Sequence, residues 1–276
     1  MLRKLLRILG VLLIIYLATA YFVLPLFWKH YEHHPQMENA PKRARTSAGI
    51  PGDPLNVALV GTEAEVIRAL LAAKWYPADP ITLKSSLAIA ASVLLHRPDP
   101  EAPVSNLYLW GRKQDLAFER PAGESAKRRH HVRLWKSEQL GMDGRPLWIG
   151  SATFDKSVGV SRYTGQITHH ISADIDSERD TLIQDLKSAG QLVEIYQVTG
   201  IGPTIDGRNG EGDWYFTDGE LTVGVIAKEN AVQTKAPETL VNPAAVRMKN
   251  KAWSLIKNIL LQPAVFREAR KIAEKL

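Results

Sequence analysis

The sequence predicts an α+β fold, a mixed, mostly antiparallel sheet with helices on one face, joined to one N-terminal transmembrane helix. Three observations carry that expectation. Ile8 to Trp28 is an apolar run without a charge, long enough to span a bilayer's hydrocarbon core as a helix. Stretches with apolar residues three and four apart follow cap signals, as in amphipathic helices. From Asn106 the apolar period shifts to two between Gly- and Pro-rich turns, as in strands.

The chain divides into a basic N-terminal segment (1–7), a transmembrane helix (8–28), a linker (29–53), a folded domain (54–230) and a basic helical tail (231–276). Arg3, Lys4 and Arg7 precede the span, which places the N-terminus in the cytoplasm and the domain on the periplasmic side. Tyr16, Tyr21 and Trp28 suit an interfacial belt. The small-x-small triplet Ala18-Thr19-Ala20 also fits a signal-peptide cleavage site, but the apolar run continues through Phe22-Val23-Leu24, which suits a retained signal anchor better. His30, His33 and His34 follow. They read as headgroup-level polar residues, with metal binding as the rival. Pro35 to Pro54 lacks periodicity and is rich in Pro, Gly and basic residues.

Leu55 to Val60 reads as a buried strand broken by Gly61. Thr62 and Glu65 form a capping box for a helix that aligns Val66, Ala69, Leu70 and Ala73. A second helix is expected over Leu83–Leu95. Leu107–Trp110 and Leu116–Phe118 read as a strand pair across Gly111–Asp115. His130–Lys136 and Leu147–Phe154 are strands joined through Gly141–Gly144, and Gly165–Ile171 is another. Glu178–Ala189 reads as a helix capped by Ser177, with Asp180 completing a box and Gly190 as its stop. Leu192–Val198 and Glu220–Ala227 complete the sheet around the Gly-rich segment 200–219. In the tail, Met248, Ala252, Leu255, Ile256 and Ile259 share a helical face among cations. Two readings stand for that helix: a lipid-surface element reaching anionic lipids, or a helix packing its apolar stripe on the domain.

Composition narrows the function classes. The 276 residues include no cysteine, which removes disulfides, thiolate metal sites and a cysteine nucleophile. A net charge of +6 favours anionic partners. Cations cluster near the membrane segments and no recognition motif appears, so nucleic acid is not among the partners expected. The bilayer and other membrane proteins are the partners expected.

Two histidine doublets, His130–His131 and His169–His170, mark the candidate site. Strand alternation sends His130 and His169 toward the core, and His131 and His170 toward the polar face. On neighbouring strands, His131 would meet His170, and His130 would meet His169. Two imidazoles and a carboxylate make a divalent-metal site, so His130, His131, His169, His170, Asp155 and Asp176 are candidate ligands and a divalent metal is the candidate cofactor. His131 and His170 are alternatively acid–base catalysts. Arg208 and Asn209, in a turn with Gly207 and Gly210, are candidate anion-binding residues. Each has a plain structural alternative: core hydrogen bonding, helix-start charge, a tight turn.

The segments PLNVALVGTEAE, WYPADPITLKSSLAIAASVLL, PVSNLYLWGRKQDLAFE, RRHHVRLW, GSATFDKSVGVS, ITHHISADIDSERD and DGRNGEGD run in an order that resembles the LssY C-terminal domain family across Pro54–Ala227. In other members this domain accompanies polytopic DedA-like or lipid-phosphatase-type membrane segments. The resemblance implies a bacterial envelope setting near lipid metabolism or transport. It supplies no catalytic residues, and with a single span and no phosphatase-type segment no phosphatase activity is carried over. The expectation is a single-pass membrane-anchored binding or accessory module. The alternative is a metal- or histidine-dependent hydrolase of an anionic envelope substrate.

Overall fold

The computed structural model describes residues 2–24, 26, 40–78, 106–122, 128–160, 167–228 and 235–261. The expected helix at Leu83–Leu95 and the histidines at 30, 33 and 34 lie outside these residues. Two units separate, Met1–Pro41 and Lys42–Leu276. In the first, helix α1 (Leu2–Ala18) runs into a π turn, Thr19–Val23, closed by Leu24 N–H on Thr19 O. Arg3–Val23 is long and apolar enough to cross a membrane.

In the second unit, nine strands of the described residues form one sheet. In chain order they are β3 (Val57–Val60), β4 (Tyr76–Pro77), β7 (Leu116–Pro121), β8 (Arg129–Leu140), β9 (Pro146–Val160), β10 (Ile167–Ile171), β11 (Leu192–Thr199), β14 (Glu220–Ile226) and β15 (Glu238–Thr239). The spatial order is β15-β11-β14-β3-β9-β8-β7-β4, with β10 beside β9. Only β14–β3 and β11–β15 are parallel among these pairs. The sheet is therefore mixed and mostly antiparallel, in an α+β fold as expected.

Helices α2 (Glu63–Ala72) and α3 (Ile175–Ser188) supply the apolar stripes over one face. Val66, Ile67 and Leu70 of α2 and Leu182 and Leu186 of α3 bury against Leu59, Phe118, Val132, Leu134 and Trp148. The capping box forms: Thr62 Oγ1 accepts from Glu65 N–H and Glu65 accepts from Thr62 N–H. Helix α3 starts earlier than the sequence suggests. Asp174, not Ser177, is its cap, and the Asp174 carboxylate accepts from Ser177 N–H at 3.1 Å.

Three smaller corrections position the site. First, β1 (Arg43–Arg45) and β2 (Pro51–Pro54) fall inside the stretch expected to be linker; they pair with each other, and β1 also pairs with β5 (Tyr108–Leu109). Second, β5 pairs with β6 (Arg112–Lys113), not with β7. Trp110 and Gly111 both take positive φ, 51° and 75°, so the chain reverses in two residues and β7 joins the large sheet. Third, the Gly-rich segment forms a hairpin, β12 (Thr204–Arg208) with β13 (Trp214–Thr217). Helix α4 (Ala244–Leu260) closes the described chain.

Candidate functional site

Alternation along β8 and β9 puts Val132, Leu134, Trp148 and Ala152 under the helices. It sends Arg129, His131, Arg133, Ser151, Thr153 and Asp155 to the other face. That face is not solvated: all six are buried, His131 with 2% exposure. His131 does lie on the polar face, but strand β2 packs against that face and brings in Asp53, so it is closed to solvent.

The result is a buried lattice of opposite charges. Asp155 holds Arg129 Nε at 3.3 Å through one oxygen, and its other oxygen stands 3.1 Å from His131 Nδ1. Arg129 also donates to Glu119 at 2.8 Å and to His169 Nε2 at 2.9 Å. Arg133 donates to Asp53 at 3.3 Å and to His131 Nε2 at 2.5 Å. A guanidinium only donates, so Arg133 occupies the lone pair of Nε2. Thr153 Oγ1, 3.0 Å from the same nitrogen, competes for it. Thr153–His131–Asp155 thus has the outline of a nucleophile–base–carboxylate triad, but the base is already engaged and the hydroxyl has no exposure.

Burial and charge pull the carboxyls apart. Burial pushes Asp53 up against the pull of Arg133. For Asp155 burial acts upward too, but His131 and the cations around it win and hold it at about 2. Burial lowers His169, against the attraction of Asp155.

The second doublet does not meet the first as expected. Asp155 pairs with Arg129 of β8 and with Ile171 of β10, so β8 and β10 flank β9 on opposite sides. His131 and His169 instead approach Asp155 from the two sides, coupled through charge. His170 turns to Asp213, which takes its Nδ1 at 2.8 Å and Ile171 N–H at 3.1 Å. Its ring lies over Gly159, where an added Cβ would sit 2.5 Å from Nε2. With a side chain one-third exposed, His170 is more open than His130 or His131.

His130 faces the helices. Its Nδ1 donates to both Glu178 oxygens, at 2.8 and 2.9 Å, and its ring lies 4.9 Å from Phe154. Asp176 belongs to yet another cluster. It accepts from Thr217 Oγ1 at 2.5 Å and from Asp218 N–H at 2.8 Å, while Arg179 grips Asp218 with two nitrogens. Burial and the neighbouring Asp218 raise Asp176 to about 6, and Arg179 holds Asp218 down despite its burial. The six candidate metal ligands are therefore spread over several environments. No three His, Asp or Glu side chains converge as a ligand group among the described residues.

Arg208 and Asn209 end β12 and open its turn. Asn209 Oδ1 accepts from Glu211 and Asp213 N–H, Asn209 N–H donates to Asp213 O, Gly212 N–H to Asn209 O and Gly210 N–H to Pro51 O. The backbone donors from 209 to 213 are thus spent holding the loop on itself and on β2. The group the segment still offers an anion is the half-exposed Arg208 guanidinium, with Asp206 3.3 Å away.

Sequence reasoning missed Asp53, Glu119, Arg129, Arg133, Thr153 and Asp213. Reversal at Gly141–Gly144 signals that β8 and β9 pair, but a bulge between Lys136 and Leu140 shifts the register, and only that shift brings Thr153 opposite His131. A model of the family described as LssY C-terminus matches residues 37–221, from before β1 into β14. No curated protein and no solved structure matches the chain.

Proposed function

The chain belongs to the LssY C-terminus family, and from that we propose a single-pass, membrane-anchored binding or accessory module whose domain works at the periplasmic surface of a bacterial membrane, with Arg3–Val23 as its signal anchor. One observation carries the non-enzymatic reading. Each doublet histidine is already committed to a separate partner: His130 to Glu178, His131 to Arg133, His169 to Arg129 and His170 to Asp213. Acid–base or metal chemistry needs a free lone pair beside the reacting group, and the most buried imidazole, His131, has given its lone pair to a guanidinium.

A second reading rests on His170. Oriented through Nδ1 by Asp213 and partly exposed, it is the imidazole best placed for histidine-dependent hydrolysis of an anionic substrate, with Arg208 as the anion's partner. One comparison tests both. The purified full chain, His131→Ala and His170→Ala are assayed for bound metal and for phosphoester and carboxylic-ester hydrolysis. The module reading expects no stoichiometric metal and no turnover by the wild type. Turnover abolished by His170→Ala, with the fold retained, would overturn it in favour of the hydrolase. Reporter fusions placed after the span test the side, and a cytoplasmic signal would reverse the topology.

A further inference from the structure

Helix α4 is turned the wrong way round for a helix that merely covers a core. Val246, Lys249, Trp253 and Lys257 face the domain. Trp253 is buried with its ring 6.5 Å from Phe216. Lys249 bonds the Glu220 carboxylate and donates to Asp218 O at 2.9 Å, and Lys257 pairs with Asp174 at 2.9 Å. The opposite side carries Met248, Ala252, Leu255 and Ile259, spaced four, three and four apart. Met248 is 74% exposed, Leu255 64% and Ile259 54%. Two lysines and a tryptophan thus lock the helix with its apolar stripe outward, and nothing among the described residues covers it.

We propose that this outward face of α4 docks on an anionic lipid surface, a proposal that rests on the membrane-surface reading above and names its partner. Charge chooses the occupant. Helix α4 has no acidic residue, and its two other cations, Arg247 and Lys251, are exposed along one border of the stripe. An apolar stripe edged by cations matches an interfacial helix sunk among anionic headgroups. A second copy pairing face to face would set the same cations against each other. The chain also carries its own membrane-crossing helix, so docking on that bilayer is intramolecular and needs only weak intrinsic affinity.

The absence of cysteine gives a direct test. Full-length Leu255→Cys, and Met142→Cys at an exposed apolar turn residue as control, are labelled with an environment-sensitive dye. Both are reconstituted into vesicles of phosphatidylcholine with or without phosphatidylglycerol. At position 255, emission should shift to the blue and be quenched by lipid-attached spin labels when phosphatidylglycerol is present; position 142 should do neither. Arg247→Gln with Lys251→Gln should weaken the phosphatidylglycerol-dependent shift by more than about tenfold. A position-255 dye that stays aqueous in both vesicles overturns the proposal. So does shielding that tracks protein concentration and ignores lipid charge, which would mean a second copy. Alkaline carbonate extraction separates the two levels: a chain that remains in the membrane while its α4 dye stays aqueous refutes this proposal alone, whereas release of the chain refutes the anchored module.

Discussion

Asp155 and Asp176 both sit buried in charge clusters, yet their environments push them in opposite directions. Asp155, drawn down to about 2, stabilises the fold fully above the ordinary carboxylate range and loses that contribution as pH falls toward 2, an effect of about 2 to 3 kcal/mol. Asp176, raised to about 6, does the reverse. The unfolded chain releases that proton near pH 4 and the folded one holds it to about 6, so stability declines between those values by a similar amount. Burial also raises Asp53, Glu178 and Glu220, so denaturant unfolding across pH should show a falling limb above about pH 4 that Asp176→Asn makes shallower without removing it. An asparagine there keeps both contacts by donating to Thr217 Oγ1 and accepting from Asp218 N–H. A limb unchanged in the variant would mean that Asp176 is ionised at no cost. Little of this was legible at the level of single residues. Alternation put His131 on the polar face, but Asp53 arrives from a strand some 80 residues earlier, and local pattern carries no information about what covers a face.

Elements were more legible where their signals are local. Helix α2 has its box because Thr62 and Glu65 are three residues apart and both donors lie in the first turn. For α3 the same logic misplaced the start by three residues, since Asp174, Ser177 and Asp180 repeat a capping spacing and only tertiary context selects among them. The structure makes Asp174 both the cap and the partner of Lys257. Asp174→Ala should cost about 1 kcal/mol and Ser177→Ala less than about half that. Thermal unfolding of the two variants, measured in parallel, decides between the caps, and a reversed order would restore Ser177. The β5–β6 hairpin was misread for a different reason. This two-residue reversal takes positive φ at both positions, and Trp110 is a residue that rarely accepts it.

At the scale of the molecule, the middle of the sheet is a parallel pair of strands from near the start and near the end of the folded unit. Thr222 to Val225 of β14 pair with Val57 to Val60 of β3. The family match stops at residue 221, one residue short of that pairing. A chain truncated after Leu221 should therefore aggregate or lose its cooperative transition, while the full chain melts in one. Circular dichroism of both in detergent checks this, and equal cooperativity would show that the pair is dispensable. The same pairing sets a timetable for biogenesis. As the polypeptide leaves the ribosome, its apolar leader and then β3 emerge early, but β3's second neighbour is still unmade until nearly the whole sequence has been translated. Throughout that interval the middle of the future sheet is an open edge, the kind of edge that other chains pair with.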